Sequence, residues 1–152
     1  MLNDLNFTIR PGETAAVIGA TGTGKSTLIR LIPRFFDPTD GTVTLDGVDI
    51  KSLALGDLRG QIGYVPQQAS LFSGTIQSNI SYGGKDMPRE NIEEAARLAQ
   101  AEPFILEKTH GYFDSISQGG SNISGGQKQR LSIARALAMK PRVLLFDDSF
   151  SA

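Results

Sequence analysis

The chain has 152 residues and carries 15 Lys and Arg against 16 Asp and Glu, so no global field steers it toward nucleic acid or anionic lipid. Its length allows one domain, and 39% hydrophobic residues, 20% charged residues and 17 glycines describe a globular α/β protein. Cysteine is absent, which excludes disulfides, thiolate catalysis and thiolate-bound metal.

Met1-Leu2-Asn3-Asp4-Leu5 lacks the charged and apolar segments of a signal peptide. The longest apolar runs fall far short of the roughly 20 residues that cross a bilayer, so membrane association is expected only through a partner. Asn6 to Ile9 alternates like a strand, Pro11-Gly12 turns the chain, and Thr14 to Ile18 is an apolar run expected as a buried strand. A glycine-rich loop follows, and Leu28-Ile29 with Leu31-Ile32 predicts a helix over 26–32 that stops near Pro33. Gly41 to Leu45, Asp46-Gly47 and Val48 to Ile50 read as a hairpin, with Asp-Gly supplying the positive φ angles of a type I′ turn.

Ile62 to Val65 predicts another short strand, ending at Pro66. Residues 75–80 and 88–100 have helical composition, and Ile92, Ala95, Ala96 and Ala99 share one side of the second segment. Gly119 to Gly126 is a second loop rich in Gly, Ser and Asn. It opens onto a predicted helix over 127–138, striped by Leu131, Ala134, Leu137 and Ala138. Val143 to Phe146 is expected as a buried strand capped by Asp147-Asp148, and no repeat is visible.

Gly19-Ala20-Thr21-Gly22-Thr23-Gly24-Lys25-Ser26 satisfies G-x-x-x-x-G-K-[ST] and lies between a predicted strand and a predicted helix. Glycines let backbone N–H groups wrap phosphates, Lys25 offers a point charge to the β and γ phosphates, and Ser26 offers a hydroxyl to Mg2+. Val143 to Phe146 delivers Asp147 and Asp148 at a strand's carboxyl end, where open parallel sheets bind ligands. Alone, such a pair is more often a helix cap or a solvated turn. Beside a phosphate loop it reads as a Walker B element, with Asp147 toward Mg2+ and Asp148 toward the attacking water.

A third element, Ile123-Ser124-Gly125-Gly126-Gln127-Lys128-Gln129-Arg130, resembles the LSGGQ signature, and with it the chain resembles the nucleotide-binding domain of ABC transporters. Val65-Pro66-Gln67-Gln68-Ala69-Ser70-Leu71-Phe72 is similar to that family's Q-loop. The resemblance covers essentially the whole chain. It implies an α/β P-loop NTPase with a RecA-like core, an antiparallel β subdomain and a helical signature subdomain, truncated at both ends. The implied parts are 1–66 with the phosphate loop, 67–125 with the Q-loop and helical subdomain, and 126–152 with the signature helix and Walker B strand.

The resemblance also implies ATP with Mg2+ as the ligand, held by Gly19, Ala20, Thr21, Gly22, Thr23, Gly24, Lys25, Ser26 and Thr27. Metal ligation falls to Ser26, Gln67 and Asp147, and catalysis to Lys25, Gln67 and Asp148. In the family two such domains close head to tail, so Ser124, Gly125, Gly126 and Gln127 would cap the γ-phosphate held by the opposite copy. A helix start rich in exposed N–H groups is physically suited to that anion. A second nucleotide-binding domain and a transmembrane domain are the implied partners, on the cytoplasmic side of the cell membrane, with no nucleic acid. Thr21-Gly22-Thr23-Gly24, Leu71 to Ile76 and the lead-in Gln118 to Asn122 are similar to the multidrug and lipid exporter branch, the lead-in at the position of its X-loop.

Two departures stand out. Asp148 replaces the family's glutamate, one methylene shorter and about 1.5 Å back, and a misplacement near 1 Å can cost about 100-fold in rate. The signature, by contrast, keeps Ser-Gly-Gly-Gln. This resembles one subunit of a heterodimeric exporter, in which a non-hydrolysing regulatory half completes its partner's site. The chain stops at Ser149-Phe150-Ser151-Ala152, where the family continues into a further strand and the H-loop histidine, so the phosphate loop and Asp147 are expected to flank a gap. His110 precedes the signature and reads as an ordinary loop histidine, and Tyr64, Tyr82 and Tyr112 lie in the wrong segments to stack on adenine. A chromosome-maintenance ATPase would place long coiled coils between the motifs, where this chain has a short connection.

Overall fold

The computed structural model describes residues 2–84 and 86–148, and the chain divides into two compact units between Ala54 and Leu55. The end segment Ser149-Phe150-Ser151-Ala152 lies outside the described residues.

In the first unit, helix α1 spans Lys25–Leu31, within a residue of the predicted range. It starts on Gly24, whose φ of 97° is a left-handed conformation that favours glycine. Arg34, at φ 52°, ends it in a Schellman motif: Phe35 N–H donates to Arg30 O and Arg34 N–H to Leu31 O, each at 3.1 Å. The Arg34 guanidinium then donates to Asp37 and to the carbonyls of Ile50 and Lys51, tying the helix end to the segment after the hairpin. That hairpin forms as expected. Strands β1 (Thr44–Leu45) and β2 (Val48–Asp49) pair antiparallel around Asp46 (φ 50°) and Gly47 (φ 80°), both positive as a type I′ turn requires. Asp49 then caps a 3-10 turn at Ile50–Ser52 by accepting from Lys51 N–H.

Two predicted strands do not form. Residues 6–9 and 14–18 have no strand partner among the described residues and are exposed, Ile18 at 92% and Val17 at 44%. A strand is held by its ladder, and an apolar run without neighbouring strands has nothing to bury it. The turn between them survives, with Glu13 N–H donating to Arg10 O at 3.0 Å.

The second unit runs α2 (Leu55–Gly60), β3 (Ile62–Val65), β4 (Gly74–Thr75), α3 (Ile76–Ile80), α4 (Arg89–Leu98), α5 (Glu102–Leu106), β5 (Ser115–Ile116), α6 (Gly125–Ala138) and β6 (Val143–Phe146). Its core gathers Ile76 and Ile80 of α3, Ile92, Ala95 and Ala96 of α4, and Leu131 and Ala134 of α6. The apolar sides predicted for α4 and α6 are the sides that meet it. α4 ends earlier than predicted because Gln100 turns left-handed (φ 55°), with Ala101 N–H closing onto Ala96 O at 2.7 Å. α2 and α5 were not anticipated; Pro103 in the first turn of α5 is the one local cue.

β3 and β6 pair in parallel, Ile62 with Val143 through Val65 with Phe146, while β4 and β5 pair antiparallel. Gly63 lets β3 lie close: a Cβ there would meet Leu144 Cδ2 and Pro141 Cγ at 2.8 Å and Ala136 O at 2.9 Å. β6 is a strand as predicted but not a buried one, with Leu144 40% exposed, since among the described residues β3 is its one neighbour. No helix among the described residues is long and apolar enough to cross a membrane.

Candidate functional site

In the first unit, the loop 19–26 is folded on itself. Thr23 Oγ1 donates to Ala20 O at 2.9 Å, and a side chain at Gly19 would run into that hydroxyl at 2.9 Å. Gly22 (φ 84°) and Gly24 (φ 97°) supply the left-handed turns of the cradle. Lys25 Nζ donates to Gly19 O at 2.6 Å and Ala20 O at 2.9 Å, so the ammonium is anchored inside the loop. The first turn of α1 holds no acidic residue. An open hollow lined by Leu5, Val17, Ile18 and Leu28 reaches the loop at Thr23 and Lys25.

In the second unit, the carboxyl ends of β3 and β6 bring four residues together. Asp147 is 1% exposed; its N–H donates to Val65 O at 3.0 Å, and its Oδ2 accepts from the Tyr64 hydroxyl at 2.9 Å. Asp148 is exposed and left-handed at φ 50°, and its Oδ2 accepts from Gln67 Nε2 at 3.2 Å. Thus Gln67 meets Asp148, and Asp147 lies beside Asp148 in the chain at the same strand ends. Tyr64 joins them unforeseen, because its role depends on a pairing 83 residues apart.

The signature opens α6. Ser124 is the N-cap: its Oγ accepts from Gln127 N–H at 3.3 Å, while Gln127 Oε1 accepts from Ser124 N–H at 3.2 Å. This reciprocal pair is a capping box, and it makes Gly125 and Gly126 the helix's first turn, not the loop that their composition suggested. Both glycines are exposed, and a side chain built on either would meet nothing within 4 Å. The approach is stapled by Asn122, which accepts from Ser117 N–H and donates to Ser115 O, and by Lys128 Nζ on Gly119 O. From the same helix Arg135 donates to Asn79 O, Asn79 Oδ1 and Ser70 O at 2.8–2.9 Å and lies over the stacked rings of Phe72 and Tyr82. Burial pulls the pKa of Arg135 down. Sequence reading passed over Arg135, and it left His110 as the exposed loop residue that it is.

The donors that Asp147 and Gln67 could give a cation in the second unit are hard oxygens, which suit Mg2+. Among the described residues no three acidic or His side chains converge on one point. A cation held here would draw most of its ligands from phosphate oxygens and water, which is the usual habit of Mg2+.

The profile of the ABC transporter family matches residues 2–151. The chain belongs to the ABC transporter family. It is 50% identical over 151 residues to YfiB of Bacillus subtilis (strain 168), an ABC transporter ATP-binding protein, covering 99% of this chain and 26% of YfiB. It is 46% identical over 152 residues to ABC transporter B family member 13 of Arabidopsis thaliana, covering all of this chain and 12% of that protein. The solved structure of a bacterial Atm1-family ABC exporter with ATP bound matches at a TM-score of 0.83 and 41% identity, over 88% of this chain and 23% of that one. The chain thus spans about a quarter, or less, of the relatives it matches. Its fold is that of an ABC nucleotide-binding domain, a P-loop NTPase. Domains of this family bind ATP with Mg2+, are generally ATPases, and work in pairs with a transmembrane domain.

Proposed function

We propose that this ABC domain binds and hydrolyses ATP to power an exporter, by ATP-driven closure of two nucleotide-binding domains on the cytoplasmic side of a membrane. The placement of Gln67, hydrogen-bonded to Asp148, and of buried Asp147 at the ends of β3 and β6 carries the reading. In it, the three parts 1–66, 67–125 and 126–152 contribute the phosphate loop, the Q-loop with the helical subdomain, and the signature helix with the Walker B strand.

Gly19 to Thr27 wrap the phosphates with backbone N–H groups, and Lys25 exchanges its loop carbonyls for phosphate oxygens. Ser26, Gln67 and Asp147 would hold Mg2+, whose chemistry is to neutralise charge developing on the phosphate oxygens. Asp148 orients the attacking water, and Gln67, hydrogen-bonded to it, fixes the direction of that carboxylate. Ser124, Gly125, Gly126 and Gln127 present a helix start to the γ-phosphate bound by the opposite copy.

A second reading, a regulatory half that holds nucleotide and hydrolyses it poorly, is favoured by Asp148 itself. Its short carboxylate sits at φ 50°, a conformation aspartate adopts more readily than glutamate. Binding of a fluorescent ATP analogue with Mg2+, with circular dichroism to verify folding, tests the shared premise: Lys25→Ala should weaken it at least about tenfold, the scale of a lost charge-assisted contact. Equal binding by the two proteins would defeat both readings. Between the two, Asp148→Glu in the assembled transporter should raise turnover under the regulatory reading and leave it unchanged under the first.

A further inference from the structure

We propose that Tyr64 is a positioning residue for the Walker B carboxylate, its hydroxyl setting the orientation in which Asp147 meets the divalent cation; this rests on the assignment of Asp147 to that cation. The argument begins with the pleat. Tyr64 pairs with Leu145, and side chains two residues apart on a strand share a face, so Asp147 continues the face that Leu145 and Tyr64 occupy. Two residues span about 7 Å along a strand, a gap that a tyrosine ring can bridge with a hydroxyl at its far end. Gly63 and Val65 turn the other way and are buried, which leaves Tyr64 as the β3 side chain that can reach along the ladder.

The contact matters because of what it holds. A carboxylate's terminal torsion is broad and nearly twofold, so the backbone alone does not fix which way its oxygens point. Asp147 is 1% exposed, and a buried carboxylate needs donors in place of water. The Tyr64 hydroxyl donates to Oδ2 at 2.9 Å and fixes the plane of the group. Hydrogen bonds that orient a ligating carboxylate in this way are typically worth about 10–100-fold in metal affinity.

The test uses Mn2+ followed by electron paramagnetic resonance, and the Mg2+ dependence of ATP-analogue binding, on the parent, Tyr64→Phe, Asp147→Asn and the double variant. Tyr64→Phe keeps the ring and removes the donor. It should raise the half-saturating concentration of both metals about tenfold, while analogue binding in EDTA stays within twofold. In the Asp147→Asn background the same change should add nothing. An unchanged metal midpoint in Tyr64→Phe, with a raised one in Asp147→Asn, would overturn the role of Tyr64 and spare the site. Equal increments in both backgrounds would also overturn it, since Tyr64 would then act elsewhere. A midpoint that Asp147→Asn leaves unmoved would remove the assignment of Asp147, and the inference with it.

Discussion

Arg135 shows how much one side chain can organise here. Its fork reaches two acceptors on Asn79 and one on Ser70, holding the Q-loop segment and α3 against the signature helix. Lysine cannot reproduce a planar fork, so Arg135→Lys should lower the unfolding free energy by about 2 kcal/mol in urea titrations. Tyr112 is the opposite case. Its hydroxyl is buried with no hydrogen-bond partner among the described residues, and burial, aided by Glu102 and Glu93, pushes its pKa up to about 12. The folded value is raised above the ordinary 10.0, so the group leaves stability constant below pH 10 and lowers it as pH rises toward 12, where the unfolded chain ionises more readily. Relieved of the unpaired hydroxyl, Tyr112→Phe should gain about 1 kcal/mol at neutral pH and flatten the fall in stability between pH 10 and 12. Lys25 and Asp147 stood out as candidates in the sequence because a phosphate-loop spacing and an acidic strand end announce them, and Gln67 because its segment resembles the family's Q-loop. Tyr64 and Arg135 did not, because their partners lie 83 and 56 residues away and only strand register or helix packing selects them.

At the scale of elements, legibility followed whether an element's support was local. The hairpin turn and α1 carry their own instructions in Asp46-Gly47 and in the residues around Gly24, and both formed where expected. Residues 14–18 have a strand's composition but no strand beside them among the described residues, so composition alone did not give the structure. Composition also placed Gly125 and Gly126 in a loop, although Ser124 and Gln127 stand at the spacing of a capping box that draws the glycines into α6. That box separates two duties of Ser124. Ser124→Ala should cost about 1 kcal/mol of stability, measured by thermal unfolding. Ser124→Asp should keep the cap and so the stability, yet place a negative charge where a phosphate would bind, so ATP-dependent pairing of two copies should be lost in sedimentation or light scattering.

For the whole molecule, the phosphate loop and the signature serve different copies if the domains close head to tail. Lys25→Ala on one copy and Ser124→Asp on the other would then spoil the same composite site twice and leave the second site intact. Both changes on one copy would spoil both sites. In mixed dimers of defined composition, bound nucleotide should fall to about half in the first arrangement, the arithmetic of one site in two, and close to zero in the second. The reverse pattern would mean that each copy builds its site from its own loop and signature, and losses of about half in both would mean that the signature takes no part in binding.

The parallel register of β3 and β6 sets one further condition. Val65 faces Phe146, so Gln67 and Asp148, each two residues beyond that rung, leave their strands in step. Replacing a side chain on either strand disturbs packing, but adding or deleting one residue between 62 and 67, or between 143 and 148, turns everything after it to the opposite face. These two short stretches can therefore absorb changes of spelling far more easily than changes of length, and a single-codon deletion in either should silence the site even where a drastic substitution at the same position does not.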